Sequence, residues 1–160
     1  MKSGPATTLA SYRRRWRKVI AYEVGMLRGM AAIPSNHPLR SNELLNNSFN
    51  ENVLLHTRNL CDFCTSKNPN DIKPSDLFDN YDTAPEYRVL RQLMRRICKK
   101  YGKSGKGSAR WAFNKKLAHP TKQRGLSFNY TRYLDRVHPI LQDIVAEIGR
   151  LERLRGRTFP

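Results

Sequence analysis

The segment TRYLDRVHPILQDIVAEIGRL, residues 131–151, decides how this chain can fold. Its apolar residues recur at steps of three and four, which is the spacing of one face of an α-helix. Pro139 interrupts the pattern, and we expect it either to kink the helix or to restart it at a first-turn position. With the preceding tyrosine, the apolar stripe comprises Tyr130, Leu134, Val137, Leu141, Ile144, Ile148 and Leu151. The charged residues around it have both signs and are expected to face solvent: Asp143, Glu147, Arg150, Glu152 and Arg153.

Three other segments show the same helical period, and no segment shows a convincing strand pattern. The second helix is expected to start at Ser41 as its N-cap, and the third at a capping box from Thr83 to Glu86. Gly102 should end the third helix. The three apolar stripes are Leu9, Tyr12, Trp16, Ile20, Leu27 and Met30; Leu45, Phe49, Val53, His56, Leu60 and Phe63; and Tyr87, Leu90, Met94, Ile97 and Tyr101.

A fourth, shorter helix is predicted after Ser108, so the chain reads as an all-α, single-domain bundle of about five helices over residues 1–160. We expect residues 1–7 and the tail at 156–160 to be flexible. Residues 66–82 form a long acidic loop with at most one helical turn near Pro74. Gly25 and Gly29 weaken the first helix, and we expect them to allow close approach of another helix.

The composition is strongly basic. Lys and Arg number 30 against 13 Asp and Glu, which gives a net charge of +17 and a pI near 10.4. Such a charge favours a polyanionic partner, most simply a nucleic acid, although an anionic membrane surface or an acidic protein has the same sign.

Three sequence features predict a cytoplasmic protein without a membrane partner. The cysteine count is odd, at three, no apolar run reaches ~18 residues, and a signal peptide is lacking.

Most of this charge lies in one acid-free segment. The 48 residues between Glu86 and Asp135 carry 14 Lys or Arg and no Asp or Glu. Cations along the third helix have no acid four residues away to pair with, so a solvated face of mixed sign is the weaker interpretation. We predict nucleic-acid contact by Arg88, Arg91, Arg95, Arg96, Lys99, Lys100, Lys103, Lys106, Arg110, Lys115, Lys116 and Lys122. The cations from Arg13 to Lys18 are either a second phosphate-contacting arm or a solvated face.

Within this basic segment, FNKKLAHPTKQR (residues 113–124) places a histidine at a helix end. Pro120 disfavours the α conformation at His119 and should end the helix there. The imidazole would then face a loop that carries Lys122 and Arg124. We interpret this arrangement as a nucleic-acid site with the groups for acid–base chemistry.

Cys61 and Cys64 have the spacing of half a zinc site, with His56 five residues earlier. A structural zinc site needs four ligands and usually pairs two such half-motifs, and the chain has only one. We therefore predict two buried thiols, no metal and no cofactor. His56 lies on an apolar stripe, where a hydrogen-bonded core histidine is the simpler interpretation.

Two blocks, Leu54–Phe63 and Asn114–Arg124, resemble small bacterial helical proteins related to the HEPN superfamily. The resemblance covers about half of the chain. It implies a helical bundle that is often dimeric, and in many members a metal-independent ribonuclease with an Arg, a polar residue and a His at the dimer cleft. The 2′-hydroxyl of RNA would attack the adjacent phosphate, with His moving protons and Arg stabilising the phosphorane.

The chain departs from that motif at one position. Asn114 stands five residues before His119, where the family has its arginine, and the nearest preceding arginine is Arg110. Arg124, or Arg58 from the other block, would have to supply the missing cation. The pair Arg132 and His138 also has the family's spacing, and we give that match little weight.

Three hypotheses follow. The first is a nucleic-acid-binding helical protein, with RNA favoured, that uses the basic surface around residues 88–124. The second is a metal-independent endoribonuclease in which His119 is the general acid–base, Asn114 orients it, and Arg124 or Arg58 stabilises charge, with His56 near the same cleft. The third is a homodimeric interaction protein without a chemical site.

Overall fold

The computed structural model describes residues 9–34, 36–102, 108–118 and 131–157, and all regular structure in these ranges is helical. The α-helices are α1 (Leu9–Ala31), α2 (Glu43–Thr65), α3 (Pro74–Leu77), α4 (Arg88–Tyr101), α5 (Ala109–Ala118) and α6 (Thr131–Arg153). Short 3-10 turns at Pro38–Arg40 and Pro85–Tyr87 precede α2 and α4. The predicted all-α class is confirmed. Five of the helices correspond to the expected ones, including the shorter α5, and α3 is the single turn expected in the acidic loop.

Helix α2 lies at the centre of the bundle and packs against α1, α4, α5 and α6, while α4 also packs along α6. The stripe predicted for α4 is buried along its whole length, from Tyr87 to Tyr101. The described part of the α6 stripe is buried from Val137 to Leu151. On α1 and α2 only the inner parts of the stripes are covered, because Leu9 and Leu45 lie at helix ends that extend past the core and are 58% and 46% exposed.

Two predicted N-caps are wrong. The N-cap of α2 is Asn42, whose side chain accepts a hydrogen bond from the backbone N–H of Leu45, while the Ser41 hydroxyl donates to the carbonyl of Pro38. Thr83 does not cap α4, because its hydroxyl faces the carbonyl of Asn80 and the chain first makes a 3-10 turn. In both places the hydroxyl that was expected to cap the helix donates instead to a backbone carbonyl three residues earlier.

Pro139 lies inside α6, which continues on both sides of it without a restart. Proline lacks the N–H that would bond to the carbonyl four residues earlier, so one ladder hydrogen bond is missing there. The long apolar face packed on α4 and α2 compensates for that loss.

The acidic loop is more than a solvated connection. Leu77 and Phe78 are each 1% exposed, so the end of α3 is buried in the core. Asp79 forms an ion pair with Arg13 of α1. The loop therefore packs against α1 and belongs to the folded body.

The C-terminal end of α6 also differs from expectation. Gly156 has a φ of +65°, Arg157 N–H bonds to the carbonyl of Glu152, and Gly156 N–H bonds to that of Arg153. These bonds make a Schellman cap, so the segment interpreted as a tail begins by closing the helix. Glu152, expected to face solvent, is 2% exposed and accepts from Arg17 at 3.2 Å. Residues 1–7 and 158–160 lie outside the described ranges.

Gly25 and Gly29 are exposed, and a Cβ added at either would meet no atom within 4 Å. The expected close approach of a second helix is therefore absent within the described chain. In the same ranges, no helix is long and apolar enough to cross a membrane.

Candidate nucleic-acid interface

Helix α4 has one buried face and one basic face. Leu90, Met94 and Ile97 point into the core. The opposite side presents five exposed cations: Arg88, Arg95, Arg96, Lys99 and Lys100. Arg96 lies 3.5 Å from Asp143, and both side chains are more than half exposed, so this pair contributes little. The other four form no ion pair with any residue that the structure describes.

Arg91 differs from its neighbours on α4 because its guanidinium is used within the fold. Its Nη1 atom donates hydrogen bonds to the carbonyl oxygens of Tyr81 and Ala84, the latter at 2.9 Å. The side chain is half-buried and ties the acidic loop to the start of α4. The structure therefore places Arg91 apart from the exposed cations with which the sequence grouped it.

Arg58 and Arg110, which are far apart in sequence, meet at one carboxylate. Arg58 Nε lies 3.4 Å from Asp62 Oδ2, and Arg110 Nη2 lies 3.4 Å from Asp62 Oδ1. The Tyr101 hydroxyl also donates to Asp62 Oδ1, at 3.3 Å. Burial raises the pKa of Tyr101, so the hydroxyl keeps the proton that it donates. One acid thus holds two cations at the junction of α2, α4 and α5.

Asn114 lies one helical turn after Arg110 on α5, so the two share a face of that helix. Its Oδ1 atom is buried and accepts no hydrogen bond from the residues that the structure describes. An unsatisfied buried amide oxygen costs about 1–3 kcal/mol, which makes this atom a place where a donor would be favourable.

His56 lies on a different side of α2. Its Nδ1 is 2.7 Å from Glu23 Oε2, and its ring stands edge-on to Tyr22, so it contacts α1. Asn59 donates to the same carboxylate oxygen at 3.1 Å. Residues two apart in a helix point about 200° from each other, which is why His56 faces α1 while Arg58 faces α5. The structure does not bring His56 together with Arg58 and Asn114.

His138, the histidine of the second Arg–His match, is half-buried on α6, and its Nε2 is 2.9 Å from the hydroxyl oxygen of Thr57. Burial lowers its pKa, while Asp135 acts in the opposite direction. Arg132 is exposed and stacks on the neighbouring Tyr133 ring at 4.7 Å.

Both thiols of the Cys-x-x-Cys pair are buried, as predicted. Cys61 is completely buried, Cys64 is nearly so, and burial raises the pKa of each. Neither is in a disulfide. Protonated, buried thiols are poor nucleophiles and poor ligands, which agrees with a role in core packing.

Several predicted site residues cannot be placed. His119, Arg124, Lys103, Lys106 and Lys122 lie outside the described residues, and so do the side chains of Lys115 and Lys116 on α5. The structure groups the predicted residues in two places. The exposed cations of α4 share one face of that helix, and Arg58 and Arg110 meet at Asp62. Asp62 was missed as the meeting point, although its position four residues after Arg58 on one helix is a pattern that could have identified it.

The basic run at the start of α1 divides into two sets. Arg17 Nη2 donates to the carbonyl of Leu77 at 2.8 Å in addition to its contact with Glu152, and Arg13 is paired with Asp79. Arg14, Arg15 and Lys18 are exposed and make no ion pair with a described residue. This basic run, for which the sequence left open a phosphate-contacting arm or a solvated face, is therefore partly a structural tie between α1, the acidic loop and α6.

Comparison of the chain with protein-family models, with curated proteins and with solved structures finds no match. The interface is therefore interpreted from its own geometry and charge.

Proposed function

We propose that this protein binds nucleic acid, RNA in preference to DNA, through the exposed basic face of α4. The observation that carries the proposal is the set of cations on that face. Arg88, Arg95, Lys99 and Lys100 are exposed and make no ion pair with the described residues, whereas Arg13, Arg17 and Arg91 are engaged within the fold. Unpaired like charges on one face repel each other, and a row of phosphates would relieve that repulsion.

The dimensions of the face suit a phosphate backbone. Arg88 and Lys99 are eleven residues apart on one helix, which corresponds to about 16 Å along the axis. Phosphates of one strand follow each other at about 3.4 Å along a duplex axis, so this length spans several of them. The opposite face of α4 is buried in the core, so the cations lie on a rigid helix. The resemblance of two segments to HEPN proteins favours RNA as the ligand.

The experiment measures binding of fluorescein-labelled single-stranded RNA, hairpin RNA and matching DNA by anisotropy over a series of KCl concentrations. The test variant is Arg95→Glu/Lys99→Glu. The matched control is Arg14→Glu/Arg15→Glu, which makes the same change of charge on the exposed part of α1. We expect the α4 variant to bind at least tenfold more weakly, with a salt slope lowered by about 0.7 for each lost contact to single-stranded RNA.

The control separates a defined surface from a general attraction to a protein of charge +17. Equal losses in the two double variants would contradict the assignment to α4. Tighter binding of the DNA strand than of the RNA strand would contradict the preference for RNA.

A second candidate, the metal-independent endoribonuclease, is supported by the meeting of Arg58 and Arg110 at Asp62. Arg110 lies one turn before Asn114 on α5, and His119 follows the described end of that helix. In this hypothesis the two arginines supply the cation that the sequence lacks at Asn114. His119 would move the proton of the 2′-hydroxyl, and the product would be a 2′,3′-cyclic phosphate.

The test is incubation of structured and single-stranded RNA with the protein in EDTA, beside His119→Ala and Arg110→Met. We expect both variants to lose at least a hundredfold in cleavage rate, in keeping with the usual share of a general acid–base. His37→Ala is the matched control, because His37 also precedes a proline but lies at the turn before α2. Cleavage that persists in His119→Ala would contradict this hypothesis and leave the binding proposal unaffected.

A further inference from the structure

A cavity of about 320 Å³ lies between α1, α2 and α6, separate from the basic face of α4. Its walls are mostly apolar and include Leu27, Val53, Leu60 and Leu141. Protein sites for small molecules are typically ~300–1,000 Å³, mainly apolar, with a few polar groups that orient the ligand. The volume and the walls of this cavity fit a small ligand of that kind.

The polar groups of the cavity have one sign of charge. Arg28 of α1 and Arg40 of the turn before α2 are among the lining residues, and no Asp or Glu is. Neither arginine forms an ion pair with a residue in the described ranges. The remaining polar lining residues, Asn50, His138 and Gln142, are amides and a histidine whose pKa is lowered by burial. The cavity therefore favours a ligand with a negative group.

The Arg40 side chain is held in place, but its guanidinium does not use all of its hydrogen-bond donors within the part of the protein that the structure describes. Its guanidinium lies over the ring of Phe49, 3.9 Å from the ring centroid. Its Nη2 atom donates to the carbonyl of Ile33 at a long 3.4 Å, and its Nε atom is buried without any hydrogen-bond partner among the described residues. A buried cationic donor without an acceptor is costly, and a carboxylate can accept from the planar guanidinium through two parallel hydrogen bonds.

We propose that this cavity binds a small amphiphile with an apolar chain or ring and a single carboxylate. The carboxylate accepts hydrogen bonds from Arg40, with Arg28 adding attraction, and the apolar part lies against Leu27, Val53 and Leu141. Burial of apolar surface supplies most of the affinity. The arginine supplies the selection for an anion. This site is independent of the nucleic-acid proposal, since none of its residues lies on α4.

The test uses decanoate as the probe and isothermal titration calorimetry as the measurement, below the micelle concentration. We expect one decanoate per chain, and at least tenfold weaker binding of decanol, which has the same chain without the charge. Arg40→Met removes the cation and leaves an apolar side chain beside Phe49, so it should weaken decanoate at least tenfold and leave decanol unchanged. Val53→Phe fills the cavity and should weaken both probes.

Two controls exclude attraction to the general charge of the protein. Arg153→Met removes an exposed arginine from α6, and Arg95→Glu/Lys99→Glu reverses the charge of the α4 face. Both should bind decanoate as the wild type does. Circular dichroism and thermal unfolding of each variant confirm that it is folded before titration.

Two results would overturn the proposal. One is the absence of decanoate binding to the folded wild-type protein. The other is binding that remains equal in Arg40→Met and Val53→Phe but falls in the α4 variant, which would place the anion on the basic surface and leave the cavity without a ligand. A decanoate-dependent rise in the melting temperature that is lost in Arg40→Met would support the site independently.

Discussion

The histidines show how strongly a residue's role depends on what packs against it. A hydrogen-bonded core residue was the simpler interpretation of His56, and the structure confirms it: the side chain is 4% exposed, and its Nδ1 lies 2.7 Å from Glu23 Oε2. Burial lowers the pKa of His138, and Asp135 acts in the opposite direction. At the scale of single residues, His56 belongs to the core and the half-buried His138 contacts Thr57, so the acid–base hypothesis depends on His119.

The lowered pKa of His138 predicts a specific dependence of stability on pH. A histidine with a folded-state pKa below its unfolded value binds fewer protons in the folded state. Its contribution to stability is therefore fully present above the unfolded value near 6.5, and it is lost as the pH falls from that value through the lower folded-state pKa. Acid favours the unfolded chain because the unfolded chain takes up the proton more readily.

We accordingly expect His138→Gln to weaken the loss of unfolding free energy between neutral pH and about pH 5, the range in which histidine titrates. Glutamine can still form a hydrogen bond with the Thr57 hydroxyl, so the fold should be retained. The measurement is urea unfolding at a series of pH values for both proteins. Identical pH profiles would show that His138 titrates alike in the folded and unfolded chains.

At the scale of elements, α4 carries two kinds of arginine that a helical wheel cannot distinguish. Arg91 donates to two loop carbonyls, whereas Arg95, one turn later, is exposed. Hydrogen bonds from a charged donor contribute about 1.5–3 kcal/mol each, more than an exposed cation contributes to stability. Arg91 therefore stabilises the fold, and Arg95 is available for a ligand.

We predict that substitutions of Arg91 and Arg95 have opposite orders of effect on stability and on RNA affinity. Arg91→Met should lower the unfolding free energy by about 2 kcal/mol or more, and Arg95→Met should change it by less than about 0.5 kcal/mol. RNA affinity should respond in the opposite order, with the larger loss in Arg95→Met once each variant is confirmed to be folded. Guanidinium unfolding and the anisotropy titration measure the two properties. A loss of RNA affinity in Arg91→Met equal to that in Arg95→Met would contradict the division.

At the scale of the whole molecule, the exposed glycines of α1 bear on the dimer hypothesis. Gly25 and Gly29 each cost roughly 1 kcal/mol in a helix relative to alanine, and within the described chain nothing approaches them. No described residue fills the space that they leave on this face. A second copy packed there would use the space that the missing side chains leave.

Gly25→Ala and Gly29→Ala should therefore each raise the unfolding free energy of an isolated chain by about 0.5–1 kcal/mol, because alanine restricts the unfolded chain and meets no atom in the folded one. Thermal unfolding at several protein concentrations checks this. Gly156→Ala is the contrasting variant: its φ of +65° is strained for alanine, so it should destabilise the protein. A melting temperature that falls in Gly25→Ala and rises with concentration in the wild type would instead indicate a dimer through α1.

Much of this architecture was predictable from the sequence, because it depends on neighbours within one or two turns. The apolar periods of α4 and α6 identified the helices and their buried faces, and composition identified the basic character. Local rules also produced the errors at the N-caps: Ser41 and Asn42 are adjacent residues of which either could cap α2, and Thr83 lies before a 3-10 turn instead of directly before α4.

The use of each charge was decided only by the tertiary structure. Arg13, Arg17 and Arg91 resemble their exposed neighbours in sequence, but carboxylates of distant segments pair with Arg13 and Arg17, and carbonyls of the preceding loop accept from Arg91. The same holds for Asp62 between α2, α4 and α5, and for the buried Glu152. Helix formation is set by contacts close along the chain, whereas the partner of a charged side chain is set by which elements pack together. The periodicity therefore determined the helices, and the packing determined which cations remain free to bind a ligand.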